Sequence, residues 1–261
     1  MTLAMERTQV LIVGAGPAGS VAAAMLRKQG REVVMLEREQ FPRFSIGESL
    51  LPQSMEYIEA AGLLRDVVEA GFQHKNGATF VRGERQTEFD FRDRFSPGWG
   101  TTYPVQRADF DHLLANAKWD VMPVRQIMGY SSNVSSLWGP GYALLGNAGE
   151  FLDPVFSSGV TIAFKSAQLA SECLARKYAG EQVDWERDFS IPLRAGVKTF
   201  RRFVESWYAG GFQKIIFHPE QQPDVRRMIC SILAGYAWDK SNPYVAETGR
   251  RLAVLEELCG Q

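Results

Sequence analysis

The segment Gly14-Ala-Gly-Pro-Ala-Gly19 is the feature that most restricts how this chain can fold. It follows the branched apolar run Val10–Val13, which is typical of a central parallel strand buried on both faces. An alanine-rich helix is expected next over Ser20–Gln29, with Gly30 as its C-cap. This order of strand, glycine turn and helix predicts a Rossmann-type βαβ unit.

The second strand, Arg31–Glu37, completes the unit and explains the glycines. Gly14 permits the tight turn, Gly16 lets the backbone approach a pyrophosphate, and Gly19 lets helix and strand pack closely. The helix N terminus attracts phosphates, and Glu37 can accept hydrogen bonds from a ribose. The unit therefore predicts a bound dinucleotide. The expected contacts are with Gly14, Gly16, Pro17, Ala18, Gly19, Glu37 and Arg38.

Composition argues against several other functions. The chain has 29 Lys and Arg against 30 Asp and Glu, so it has no basic excess for nucleic acid or for an anionic membrane. The apolar run Val10–Leu26 is interrupted by glycines and a proline, which argues against a membrane span. Three widely spaced cysteines and three scattered histidines predict no metal site and reduced thiols in a cytoplasmic protein.

A second string, Phe41-Pro-Arg-Phe-Ser-Ile-Gly-Glu-Ser-Leu-Leu-Pro52, follows the nucleotide unit. It resembles the segment after the second strand in flavin-dependent halogenases and in their relatives, the geranylgeranyl reductases and aromatic hydroxylases. Gly47–Pro52 is its most halogenase-like part. The resemblance implies that the dinucleotide is FAD, with Arg43 close to the cofactor and Ser49 in contact with it.

Two further strings carry the same resemblance. In Val105–Leu114, Arg107 stands where the family has an arginine that contacts FAD, just before a helix. Tyr142–Ala163 is similar to the family's second flavin motif, in which a strand and glycine turn lead into a helix, here expected over about Val160–Lys177. The implied FAD contacts are Gly146, Asn147, Asp153 and Gly159. The implied halide site is the backbone nest of Ser157, Ser158 and Gly159.

Lys75 falls on the lysine of a halogenase-like string, Lys75-Asn-Gly-Ala-Thr-Phe80, before an expected hairpin of Ala78–Arg82 and Glu88–Arg92. In the family this lysine receives hypohalous acid made at the flavin and presents electrophilic halogen to the substrate. Burial would lower its pKa and make the amine nucleophilic. The alternative is a solvated lysine beside a turn, with no catalytic role.

One part of the family pattern is absent. Between the Arg107 helix and the Gly146 strand, the halogenases insert most of a substrate-binding sheet and a Trp-x-Trp-x-Ile-Pro string, and neither is present here. Either the natural chain has lost this sheet, or the sequence joins two parts of a longer chain. We favour the second interpretation, because a sheet that loses central strands exposes edges and apolar faces.

The sequence therefore predicts an α/β protein with a Rossmann-type, glutathione-reductase-like FAD-binding domain over residues 1–175, in which residues 72–104 are a remnant hairpin of the substrate sheet. Residues 176–261 are expected to form a helical C-terminal region, with a helix pair over Trp185–Ala209 broken near Pro192.

The resemblance implies an FAD-dependent oxidoreductase that halogenates an aromatic or carrier-bound small molecule with O2 and reduced FAD from a separate flavin reductase. Two alternatives stay open. One is an FAD-dependent monooxygenase or a geranylgeranyl-type reductase, and the other is an inactive FAD-binding remnant that lacks the substrate sheet.

Overall fold

A computed structural model gives the fold and describes residues 7–43, 45, 47–116, 122–123 and 134–260. Its strands and helices are, in chain order, β1 (Val10–Val13), α1 (Pro17–Lys28), β2 (Val33–Glu37), α2 (Gln53–Ala61), α3 (Leu64–Glu69), β3 (Gly77–Arg82), β4 (Arg85–Asp90), α4 (Arg107–Asn116), β5 (Met122–Pro123), β6 (Trp138–Gly139), β7 (Tyr142–Ala143), α5 (Gly159–Tyr178), α6 (Ile191–Ala209), α7 (Gly211–Ile216), α8 (Pro223–Leu233), α9 (Pro243–Ala246) and α10 (Thr248–Leu258).

The N-terminal part is the predicted βαβ unit. Strands β1, β2 and β5 form a parallel sheet in that spatial order, and α1 connects β1 to β2. Helix α1 begins at Pro17, earlier than predicted, because proline suits a first turn that needs no N–H donor. Its buried alanines, Ala22–Ala24, have small side chains and so allow close packing against α5. The glycine turn is thereby held between the sheet and α5.

Strand β1 lies at the edge of the described sheet. Ile12 is 9% exposed and faces the core, whereas Leu11 and Val13 are 55% and 80% exposed on the opposite face. The prediction that this strand is buried on both faces is therefore wrong. Neighbouring strand residues point to opposite faces, and the described residues cover only the face that carries α1.

The hairpin of β3 and β4 is antiparallel and pairs Gly77 with Asp90 and Arg82 with Arg85. Its second strand begins three residues before the predicted one, because a tight two-residue turn with Gly83 at φ 60° closes the loop. Phe80 packs on Trp207 of α6 with 5.5 Å between ring centroids. The hairpin is thus covered by the C-terminal helices and belongs to their apolar core.

Helix α5 matches its predicted bounds to within a residue at each end. The predicted break near Pro192 is wrong: a wide π-helical turn, Glu186–Ser190, leads without interruption into α6. A wide turn relieves the contact between the proline ring and the preceding turn of the helix. No helix among the described residues combines the length and the apolar character needed to cross a bilayer.

Candidate active site

The glycine turn leaves a concave backbone surface at the N terminus of α1. Gly14 has φ 101°, which favours glycine, and its N–H donates to the Leu36 carbonyl at 2.7 Å. The N-cap residue Gly16 has no side chain with which to cap the helix. A Cβ on Gly19 would collide with the Gly14 carbonyl, so only glycine allows this approach of helix and turn. The N–H groups of the first turn remain available to an anion.

Glu37 is fixed at the end of β2. Its side chain is 5% exposed, and its carboxylate accepts the Ala15 N–H at 2.7 Å and the N–H groups of Arg38 and Glu39 at 2.9 and 3.1 Å. These bonds hold the carboxylate beside the glycine turn, at the position where the fingerprint places a ribose. Arg38 pairs with Glu39 at 3.6 Å, and both side chains are partly exposed.

Arg43 and Arg107, predicted from separate strings, meet in one buried charge network. Arg43 lies 3.5 Å from the Glu37 carboxylate and 3.8 Å from that of Asp111. Arg107 donates from Nε and Nη2 to the two Asp111 oxygens at 2.8 and 3.0 Å. A Cβ built on Gly16 would lie 3.6 Å from Arg43 Nη2, so the guanidinium borders the glycine turn.

Asp111 is the member of this network that sequence reasoning missed. It is fully buried and holds both arginines against the turn. Its spacing of four residues after Arg107 places both side chains on one helix face, and this was the signal available in the sequence.

Gly146 places the second predicted motif against Ala18, in the first turn of α1. Its φ is 54°, and a Cβ there would lie 3.2 Å from the Cβ atoms of both Ala18 and Ala163. Its N–H donates to Ser166 Oγ at 2.9 Å. The glycine therefore sits where α1 and α5 meet, and the neighbouring Asn147 is exposed.

The turn before α5 contains the three residues of the predicted halide site, Ser157, Ser158 and Gly159. Ser157 has φ 56°, an uncommon conformation for a residue other than glycine, and Gly159 opens the helix with no atom within 4 Å of a Cβ built there. Ser158 is 1% exposed, and its Oγ has no hydrogen-bond partner among the described residues. Asp153 lies outside this nest. Its carboxylate accepts hydrogen bonds from the Val155 N–H at 3.0 Å and from the Tyr208 hydroxyl at 2.9 Å.

Lys75 lies half-buried beside the Phe41–Pro52 string. Its Nζ donates to Ser49 Oγ at 2.6 Å and to the Leu50 carbonyl at 3.2 Å, and it lies 5.4 Å from the centre of the Phe91 ring. Burial lowers the pKa of Lys75 to about 8. The amine is thus partly neutral near physiological pH, in contrast to a solvated surface lysine.

A cavity of about 690 Å³ borders Lys75 and the β3–β4 hairpin. Its walls include His74, Asn76, Phe89, Asp90 and Arg226. Arg226 stacks on Phe89 with 4.3 Å between its guanidinium carbon and the ring centre. The cavity is large enough for a small organic molecule.

Comparison with known proteins identifies the group to which this chain is similar. A family model described as an FAD binding domain matches residues 7–128. A sulochrin halogenase of Aspergillus terreus is 40% identical over 110 residues, which are 42% of this chain and 20% of the halogenase. A flavoprotein/dehydrogenase of Cytophaga hutchinsonii is 30% identical, with a TM-score of 0.93 over 98% of this chain and 99% of that one. The chain belongs to the same family of flavoproteins as this flavoprotein/dehydrogenase, and part of it is similar to flavin-dependent halogenases.

A further relative adds a different named substrate. The 1H-pyrrole-2-carbonyl-peptidyl-carrier-protein brominase of Pseudoalteromonas luteoviolacea is 39% identical over 105 residues, which are 40% of this chain and 25% of the brominase. The matched part thus spans a fifth to a quarter of these two curated relatives. The predicted fold class, the similarity to flavin-dependent halogenases and the FAD cofactor are confirmed.

The described residues fit FAD on their own geometry. The Gly14–Gly19 turn offers backbone N–H groups and no side chain at Gly16, two arginines border it, and an unpartnered Ser158 hydroxyl lies at the α5 turn. No group of three or more His, Cys, Asp or Glu in the described part of the chain is arranged to hold a metal ion.

Proposed function

We propose that this protein is an FAD-dependent halogenase. The observation that carries the proposal is Lys75, an amine in a family-like string that burial keeps partly neutral, with a pKa of about 8, at the edge of a cavity. A lysine in this state can accept electrophilic halogen, which a fully protonated surface lysine cannot.

In this proposal, the FAD diphosphate lies on the Gly14–Gly19 turn, with Pro17 and Ala18 at the helix N terminus and Arg38 near the adenosine end. Glu37 accepts from the ribose, and Arg43 and Arg107 offset the diphosphate charge. The ribityl chain and flavin lie along Gly146, Asn147 and Asp153. When bound, reduced FAD would reduce O2 to the peroxide level, and this oxidant would convert halide to hypohalous acid.

The halide is proposed to bind at the turn of Ser157, Ser158 and Gly159. The Ser157 N–H donates to the Pro154 carbonyl at 2.8 Å, so the proposed donors to the anion are the N–H groups of Ser158 and Gly159, together with the positive end of α5. The buried Ser158 hydroxyl, which has no hydrogen-bond partner among the described residues, supports this assignment, because a buried polar atom is stabilised by a partner.

Hypohalous acid then meets the neutral amine of Lys75: an N–halogen bond forms as the O–halogen bond breaks, and the released hydroxide leaves as water with one amine proton. On an aromatic ring the halogen replaces a proton, and that proton returns to the lysine nitrogen and restores the amine. The substrate is proposed to be an aromatic or carrier-bound small molecule, and one of the two curated relatives is named for a pyrrole-2-carbonyl group on a peptidyl-carrier protein. A separate flavin reductase and a cytoplasmic location are part of the proposal, in keeping with free thiols at all three cysteines.

The test combines the protein with FAD, NADH, a flavin reductase, oxygenated buffer and bromide, with phenol and pyrrole-2-carboxamide as probes. We expect brominated probe with the wild type and a loss of at least about 100-fold in Lys75→Ala, with FAD binding retained. Lys165→Met is the matched control, since burial also lowers the pKa of Lys165, which contacts Gln168 and Trp238 instead. We expect that control to keep its rate within about twofold.

The alternatives give other outcomes. Oxygenated or reduced product that does not depend on bromide would favour the monooxygenase or the geranylgeranyl-type reductase. A flavin spectrum with no turnover of any kind would favour an FAD-binding protein without activity. Equal bromination by wild type and Lys75→Ala would remove Lys75 from the mechanism.

A further inference from the structure

Lys75 and Ser49 are brought together by a single extended segment, Thr102–Val105. On one side, Lys75 and Thr102 exchange backbone hydrogen bonds of 2.7 and 2.9 Å. On the other side, the Leu50 N–H donates to the Tyr103 carbonyl at 3.2 Å, and the Val105 N–H donates to the Glu48 carbonyl at 2.6 Å. The segment thus runs between the two residues and fixes their backbones in register.

The contact that results is short and directional. Lys75 Nζ donates to Ser49 Oγ at 2.6 Å, across 26 residues of sequence. Among the described residues, Lys75 forms no ion pair with a carboxylate. Its other polar contact is the Leu50 carbonyl at 3.2 Å.

The two acceptors differ in what they can do when Lys75 loses a proton. The Leu50 carbonyl can only accept a hydrogen bond, so its interaction weakens when the ammonium becomes an amine. The Ser49 hydroxyl both accepts and donates: it accepts from the ammonium, and it can rotate to donate to the lone pair of the amine. Ser49 is therefore suited to hold Nζ in both protonation states.

We propose that Ser49 is a positioning residue that holds Lys75 Nζ in one place as its proton leaves and returns. The sequence predicts that Ser49 contacts the cofactor. In the structure, the Ser49 hydroxyl accepts a hydrogen bond from Lys75 Nζ at 2.6 Å. The consequence for turnover rests on the proposed function, whereas the contact with Lys75 does not.

Other titratable groups surround Lys75 on the cavity side and must stay constant in a test. These groups are His74, Glu88, Asp90, Asp93, Arg226 and Cys230. Substitutions at Ser49 leave all of them in place, so a change in the titration of Lys75 can be traced to the lost hydroxyl.

The experiment is competitive labelling of the FAD-loaded protein with trace acetic anhydride from pH 6 to 11, with the Lys75 peptide quantified by mass spectrometry. Ser49→Ala is expected to lower the labelling midpoint of Lys75 by about 0.5–1 pH unit, because the ammonium loses its charge-assisted hydrogen bond. Ser49→Thr keeps the hydroxyl and is expected to restore the wild-type midpoint. Ser54→Ala is the matched control, since Ser54 Oγ bonds to Thr161 at 2.9 Å and not to Lys75.

An unchanged labelling midpoint of Lys75 in Ser49→Ala overturns the proposal. Loss of FAD binding without a change in that midpoint also overturns it, because Ser49 would then be a cofactor contact. Ser49→Cys, of nearly the same size but with a weak donor, carries the same test if Ser49→Ala does not fold. The labelling needs neither halide nor substrate, so its result is independent of whether the protein halogenates. Where turnover is measured, Ser49→Ala is expected to lower kcat about 10-fold with KM for the probe unchanged.

Discussion

Lys75 is a half-buried cation with no carboxylate partner among the described residues, and this sets its effect on stability. Burial lowers its pKa to about 8 from an ordinary value of 10.5. At pH 7 the amine is mostly charged in the folded chain and fully charged in the unfolded chain, so most of its desolvation cost opposes folding. Between about pH 8 and 10.5 the unfolded chain holds the proton that the folded chain has released, and stability therefore rises with pH.

Lys75→Met, which removes the charge and keeps an apolar chain, is expected to raise the free energy of unfolding by about 1–3 kcal/mol at pH 7. The gain over the wild type should shrink as the pH rises from 8 to 10. Urea unfolding of the wild type and of Lys75→Met at pH 7, 8.5 and 10 measures this difference in unfolding free energy. A gain that is constant with pH would show that Lys75 is not desolvated.

A substitution at Asp111 is expected to lower the free energy of unfolding, because Asp111 is a buried carboxylate with two cationic partners. Asp111→Asn leaves Arg107, which is 9% exposed, without its bidentate partner. We expect the free energy of unfolding to fall by about 3–5 kcal/mol. Glu69→Gln is the control, since Glu69 pairs with Arg65 at the same spacing but on the surface, and should cost under about 0.5 kcal/mol. Equal losses of unfolding free energy in Asp111→Asn and Glu69→Gln, measured by urea unfolding, would show that the buried network stabilises the fold no more than the surface pair does.

At the scale of elements, two glycines of one turn have separable roles. A Cβ on Gly16 would meet only Arg43 Nη2 at 3.6 Å, an ordinary contact, whereas one on Gly19 would collide with the Gly14 carbonyl. Gly16→Ala is therefore expected to keep the wild-type Tm and to weaken FAD binding at least 10-fold, because its methyl group occupies the face that the diphosphate approaches.

Gly19→Ala is expected instead to lower the free energy of unfolding by about 1–3 kcal/mol through overpacking. Apoprotein melting curves and flavin fluorescence titrations of the two variants separate the effects. Similar losses of both properties in both variants would contradict this division.

The same elements show what the sequence can and cannot predict. The βαβ unit, α5 and the glycine turns follow from local patterns, and they were predicted to within a few residues. The contact of Lys75 with Ser49 was not predicted, because it depends on the segment Thr102–Val105 pairing with both. The start of β4 differs from the predicted one because of a tight turn, and α6 is not broken near Pro192 because of a wide helical turn. Both turns depend on geometry that residue type alone does not specify.

At the scale of the whole molecule, two apolar cores share helix α5. Its Val160, Phe164 and Ala167 join the core of the nucleotide unit, while Ile162 and Leu169 join that of the hairpin and C-terminal helices. Lys75 borders both cores, since its Nζ donates to the Leu50 carbonyl of the first and lies 5.4 Å from the centre of the Phe91 ring in the second.

The uncovered face of β1 is the property of the whole molecule with the clearest consequence in solution. Leu11 and Val13 are 55% and 80% exposed on an edge strand, and such surfaces promote association. Leu11→Thr with Val13→Thr keeps residues that favour strands and is expected to reduce aggregation in light scattering, with unfolding free energy within about 0.5 kcal/mol of the wild type. Ile12→Thr, on the buried face of the same strand, should instead lower it by about 1–3 kcal/mol. A large loss of stability in the double variant would show that this face is covered in solution, because a side chain already in water loses little when it becomes polar.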